Sequence, residues 1–144
     1  MAVTKISARK WVISVSIDAR ATWTQVKGVN KFSLDRTSVR TPTEDFLNDG
    51  IETGEIMARG AAAKLEGFFL EDTSNGTRDP GQLNVESLSE LTGAASVGDF
   101  KFVSPGGKTY TFSATVDLDA WGGGNNDKTS WGADLIRSGA LLIV

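Results

Sequence analysis

Asp117 and Asp119 stand two residues apart in the run 109–120, TYTFSATVDLDA. On a strand that spacing puts both carboxylates on one side, where they could share a proton or a cation. Acid–base work would also need a cleft and a raised pKa, and nothing around the pair in the sequence supplies either, so plain surface is the better reading. Gly122-Gly123-Gly124-Asn125-Asn126-Asp127 offers oxygen donors that could suit calcium. It lacks the spaced acids of an EF-hand and the tandem glycine–aspartate pattern of a β-roll, and reads as a hairpin loop. Pro105-Gly106-Gly107-Lys108, followed by Thr109, resembles a phosphate loop in part, but it lacks the full glycine spacing and leads into a strand rather than a helix. Trp11, Trp23, Trp121 and Trp131 could stack on sugars or bases. No basic stripe accompanies them, and packing at strand ends is their expected role.

Composition narrows the chemistry further. The 144 residues contain no histidine and no cysteine. The commonest general base and the commonest metal ligands are therefore missing, which argues against a triad hydrolase or a zinc enzyme. Neither a metal nor another cofactor is expected, and no enzyme activity. Hydrophobic content of 40% and charged content of 23% suit one globular domain over 1–144. No apolar run is long enough to span a bilayer as a helix, so no membrane partner is expected. Lys5, Arg9 and Lys10 before the apolar residues 11–17, with Ala19-Arg20-Ala21 after them, imitate a secretory signal. The alternation of Trp11, Ile13, Val15 and Ile17 with Val12, Ser14, Ser16 and Asp18 reads instead as a strand.

The elements that would position these residues follow from periodicity and punctuation. Residues 1–10 form a polar arm, 11–17 a strand, and 23–34 a further β stretch broken at Gly28. Residues 40–60, RTPTEDFLNDGIETGEIMARG, read as an extended acidic loop carrying Glu44, Asp45, Asp49, Glu52 and Glu55, with scattered apolar residues that suggest docking. Residues 61–70 resume as a strand with Ala63, Leu65, Gly67 and Phe69 on one side. Asp79-Pro80-Gly81-Gln82 reads as a helix start with a capping box, Leu83, Leu88 and Leu91 as its apolar stripe, and Gly93 as its end. Residues 100–104 and 109–120 form a hairpin about the Pro-Gly-Gly-Lys turn. In the return arm Tyr110, Phe112, Ala114, Val116, Leu118 and Ala120 face inward. Thr109, Thr111, Ser113, Thr115, Asp117 and Asp119 form a wet, faintly anionic wall. Leu141, Leu142, Ile143 and Val144 call for burial in the chain's own sheet or against a neighbour. The class is mainly β: an antiparallel β-sandwich or partly closed barrel with one short α-helix packed outside and a long inter-strand loop.

Charge is unevenly spread. Residues 1–40 hold eight basic and two acidic side chains, and the remainder seven basic and sixteen acidic, within a net charge of −3. A molecule with opposite poles suits head-to-tail stacking.

Together these segments resemble the major tail tube proteins of long-tailed, siphovirus-type bacteriophages. The resemblance is carried by WTQVKGVNKF (23–32), the acidic loop after it, the strand 61–70, and TRDPGQ (77–82) leading into a short helix. FKFVSPGGKTYTF (100–112) and the Gly-Asn-Asp loop before Trp131 complete it, so that it runs from about residue 11 to 144. It implies a structural subunit that self-assembles into stacked, hexameric rings forming a conduit for DNA. It also implies a virion-tail location after assembly in the host cytoplasm, with tape measure and terminator proteins as partners. On that reading Glu44, Asp45, Asp49, Glu52 and Glu55 face Lys5, Arg9 and Lys10 of a neighbour between rings. The wall from Thr109 to Asp119 lines the lumen, and DNA passes without specific binding. Two alternatives differ in class. A contractile-tail or secretion-system tube subunit, or a tail terminator, would share the architecture; a secreted β-sandwich carbohydrate-binding module would be a monomer whose tryptophans meet saccharide.

Overall fold

The structure, a computed structural model, describes residues 3–43 and 54–144. A short 3-10 turn, Ala8–Lys10, precedes β1 (Val12–Ser16), β2 (Thr24–Gln25), β3 (Val29–Pro42) and β4 (Gly54–Phe68). The helix α1 (Pro80–Ser89) follows, then β5 (Gly98–Val103), β6 (Thr109–Leu118), β7 (Ser130–Arg137) and β8 (Leu142–Ile143). They form an eight-stranded antiparallel sheet in the order β2-β1-β5-β6-β7-β4-β3. β6 is longer than either neighbour on its second edge. β7 pairs with its Ala114–Leu118 portion, and β8 takes Tyr110 and Thr111.

One face of the sheet supplies the core. Val15, Leu65, Phe100, Phe102, Ala114, Ala133 and Leu135 are fully buried, each being the inward member of an alternating pair. Full burial of each Phe or Leu contributes about 1.5–3 kcal/mol. Phe102 stacks on Phe112 at 5.7 Å, and Phe32 of β3 lies 5.7 Å from Phe102 and 5.3 Å from Trp11. Those contacts bring β3, at one end of the strand order, over β1 and β5 near the other. The sheet is thus rolled like a sandwich without closing into a barrel.

The helix begins where the sequence says it should, because the Asp79 carboxylate accepts from the Gln82 backbone N–H at 3.1 Å and Pro80 occupies the first turn. Its buried stripe differs from the expected one. Val85 and Leu88 are buried, with Gly81 and Gln82, whereas Leu83 and Leu91 face solvent. Residue 81 must be glycine, since a Cβ there would run into the backbone of Gln25 and Val26. Gln82 does not close a capping box by reaching back to Asp79. Its side-chain N–H groups donate to Lys27 O at 3.0 Å and Phe68 O at 2.7 Å, and its carbonyl accepts from Leu70 N–H at 3.1 Å.

The extended loop expected over 40–60 is shorter than its sequence suggests. β3 pairs with β4 out to Pro42 opposite Gly54, with register shifts at Val29/Lys31 and at Val39/Arg40. Residues 40–42 and 54–60 are strand; 44–53 lie outside the described residues. β7 covers β4 only from Ala62 to Phe68. Past Ala62 the β3–β4 pair continues as a two-stranded ribbon, with Val39 61% and Met57 65% exposed.

Candidate functional site

The second face of the sheet is where the sequence placed a polar wall. On β6 it presents Thr109, Thr111, Ser113, Thr115 and Asp117, with Asp119 just past the strand end. Register sets Asp99 of β5 beside Ser113, Asp134 of β7 beside Asp117, and Lys64 of β4 beside Asp134. Asp117 is exposed and Thr109, Ser113, Thr115 and Asp119 are half-buried. Thr111 departs from the expected wet position at 6% exposure. Ser14 and Ser16, polar members of the β1 alternation, are also buried. The 17–23 segment folds against Ser16, with Arg20 N–H donating to Ser16 Oγ at 3.0 Å and Ser16 Oγ donating to Asp18 at 2.8 Å.

The wall carries cations from other elements. Lys64 Nζ lies 3.2 Å from Asp134 and 3.3 Å from Asp119. The hydrogen bond to Asp134, then that to Asp119, holds the lysine pKa above its usual value. Arg20 Nε lies 2.9 Å from Asp99, whose same oxygen accepts from Ser113 Oγ at 2.7 Å. Ala19 and Arg20 place this guanidinium from left-handed backbone, at φ +58° and +72°, a conformation costing about 1–2 kcal/mol per non-glycine residue. Lys31 pairs with Glu66 at 3.7 Å, and the Lys101 ammonium sits 4.7 Å from the Trp23 ring centroid. Lys64 was legible in the 61–70 alternation as a member of the face opposite Ala63 and Leu65. Arg20 gave no sequence signal, because a loop residue has no period to betray its direction.

The candidates for chemistry come apart. Asp119 is engaged by Lys64 while Asp117 stands exposed, so the pair does not share one cation. Among the described residues no cluster of acids could hold a metal ion, and no helix is long and apolar enough to cross a membrane. Asp127 accepts from Gly124 N–H at 2.7 Å and closes its own turn. In the Pro-Gly-Gly-Lys hairpin Gly107 N–H donates to Ser104 O at 2.9 Å, and the turn runs into β6. Trp131 is buried and Trp11 and Trp23 are half-buried. Trp121 is 50% exposed and meets Phe69 edge-on at 5.0 Å, while Arg78 covers that phenylalanine at 3.6 Å. The tryptophans are thus distributed rather than gathered into a platform.

Of the charged residues assigned to stacking, Lys5, Arg9, Lys10 and Glu55 are exposed, Glu55 opposite Thr41 on the ribbon. Glu44, Asp45, Asp49 and Glu52 lie outside the described residues. No ion pair among the described residues joins Glu55 to the three basic ones. The apolar C-terminal residues enter the chain's own sheet through β8, yet Leu142, Ile143 and Val144 remain exposed.

The described residues define a class of fold: a rolled antiparallel sheet with a single outer α-helix and a projecting two-stranded ribbon. No protein-family model matches the chain, and no curated protein is similar to it in sequence. Solved structures do share its fold over nearly the whole length. A chain of the tail of an empty gene transfer agent particle, with C6 symmetry, matches at a TM-score of 0.74 and 14% identity, covering 97% of this chain and 99% of that one. A chain of the virion of a native gene transfer agent particle matches at 0.69 and 13%, with the same coverage. A chain of the six-fold symmetrised baseplate of the anti-feeding prophage matches at 0.66 and 11%, covering 100% of this chain and 97% of that one. At these identities the likeness is one of fold.

Proposed function

We propose that this chain is a structural subunit of a phage-type tail tube, assembling into stacked hexameric rings that form a conduit for DNA. The observation that carries the reading is the fold likeness to chains of six-fold tail and baseplate assemblies, which spans at least 97% of each chain. Ring and tube both require heterologous contacts, one set closing by rotation and another repeating by translation. The projecting ribbon and the exposed C-terminal residues supply surface for them, and the basic Lys5, Arg9 and Lys10 face the acidic Glu44, Asp45, Asp49, Glu52 and Glu55 of a neighbour between rings. The wall of Thr109, Thr111, Ser113, Thr115, Asp117 and Asp119 lines the lumen. Tape measure and terminator proteins are the expected partners, the virion tail the location and host cytoplasm the place of assembly; no catalytic role is assigned.

Electron microscopy of the purified protein, concentrated and held in low and high salt, is the test. Hollow six-fold tubes are expected, and reversing charge at three of the five acids should abolish stacking without unfolding the subunit. Tubes unaffected by that reversal would remove the inter-ring assignment, and a map placing Asp117 on the exterior would remove the luminal one. A second reading is a tube subunit of a contractile tail or secretion system, or a terminator. The likeness to a baseplate chain favours it; rings that stop after one layer would mark a terminator, and binding of a sheath a contractile-tail subunit.

A further inference from the structure

On the polar face each cation is already engaged. Asp35, Glu66, Asp99, Asp117, Asp119 and Asp134 share it with Arg20, Lys31, Lys64 and Lys101. Arg20 is held by Asp99, Lys31 by Glu66, Lys64 by Asp119 and Asp134, and Lys101 by the Trp23 ring. Other basic residues among those described lie off this face, as four of them illustrate. Arg36 and Arg137 stand opposite Ala61 and Ala114, on the inward-facing register of the sheet, and Arg9 and Lys10 are on the N-terminal arm. Lys64 is the most heavily caged, a single charge between two carboxylates near the middle of the face, and neither acid has another cation within reach among the described residues.

We infer that Asp119 and Asp134 act to silence Lys64, so that the polar face refuses nucleic-acid phosphate although it contains a central lysine. A phosphate approaching Lys64, whose side chain is 43% exposed, competes with two carboxylates 3.2 and 3.3 Å from its Nζ and meets a local charge of net −1. Asp117 and Asp35, which pair with no cation among the described residues and line the same shallow pocket as Lys64, deepen the repulsion. A freed Lys64 would offer one phosphate contact and release about one counterion. In a ring it would recur in each copy, so a weak attraction per subunit would multiply along a conduit. The biological use rests on the luminal reading; the silencing itself is a property of the folded subunit and is tested on it.

The experiment measures binding of a short fluorescent duplex DNA oligonucleotide to the purified subunit by anisotropy, across roughly 0.02–0.2 M salt, where one added contact steepens the log–log slope by about 0.9. Asp119→Asn with Asp134→Asn should bind several-fold more tightly at the low-salt end, with a slope steeper by about 1. Adding Lys64→Gln should return it to the parent. Glu71→Gln with Glu90→Gln makes the same change in net charge outside the sheet, and should leave the slope alone. A D119N/D134N protein no different from E71Q/E90Q, or a gain that survives K64Q, overturns the inference. Competitive acylation of the unmodified protein, read by mass spectrometry, tests it without any substitution: Lys64 should react several-fold more slowly than exposed Lys108 and Lys128, and equal reactivity would refute the cage. A gain in DNA affinity together with a tube map that puts this face outside would uphold the silencing and remove only the luminal reading.

Discussion

Replacing Gln82 should be among the costliest polar substitutions in the described part of the molecule. Its side chain is fully buried and satisfies three backbone groups on two separate segments: Lys27 O before β3, and Phe68 O and Leu70 N–H at the end of β4. Gln82→Ala leaves all three without that partner. An orphaned buried group costs about 1–3 kcal/mol, and because Lys27 and Phe68 lie near solvent the lower end applies to their carbonyls, giving a total near 3 kcal/mol. With a urea m-value of about 1–3 kcal/mol/M the unfolding midpoint should fall by roughly 1–3 M at unchanged slope. Gln82→Glu should be worse at neutral pH, since an ionised carboxylate sets oxygen against Lys27 O and Phe68 O. Burial against two carbonyls would raise that carboxyl's pKa in the folded state, opposed by the Arg78 guanidinium 3.4 Å from the Gln82 side-chain oxygen. The folded state then binds the proton more readily than the unfolded one, so the deficit should shrink as pH falls toward the unfolded value of about 4.3. An alanine variant within about 1 kcal/mol of the parent, or a glutamate tolerated at neutral pH, would refute the reasoning.

Gly81→Ala drives a methyl into the Gln25–Val26 backbone and should cost about 3 kcal/mol, a fall in Tm of roughly 10 °C, while Gly106→Ala, which meets nothing, should stay within about 0.5 kcal/mol. Equal melting of the two by calorimetry would contradict the close approach. Asp18 is held below its usual pKa of 3.8 by the Thr22 backbone N–H and then by Ser16 Oγ. A depressed folded pKa gives stability that is present above about 3.8 and is lost as pH falls through the folded value. The Tm advantage of the parent over Asp18→Asn should therefore be constant near neutrality and shrink in acid; a gap that widens in acid would reverse the assignment.

What the sequence disclosed was local. The β5–β6 hairpin and the inward row Phe112, Ala114, Val116 follow from strict alternation and a Pro-Gly-Gly-Lys turn, and Asp79 was recognisable as a cap because capping involves neighbours in sequence. Three features were hidden because they depend on distant chain. Gln82 fits a capping-box pattern, but the backbone groups its side chain meets lie 12 to 55 residues away. Residues 54–60 carry glycines and no clean period, and became strand by pairing with β3. Thr111, Ser14 and Ser16 looked wet by alternation, which does not encode that the 17–23 segment folds against Ser16 or that β8 pairs beside Thr111.

The ribbon past Ala62 has a consequence for how defects in this protein would be noticed. Two strands without a third are barely stable on their own in water, and the pairs from Arg36–Ala61 to Pro42–Gly54 have no β7 beside them. Their amides should exchange with deuterium through local fraying, at a free energy unrelated to global unfolding. Calorimetry and denaturant titration would thus be blind to lesions there. A subunit altered at Val39 or Met57 could pass each test of folding and still fail when many copies are brought together. Slowed exchange in the same amides would time the moment at which a neighbour arrives.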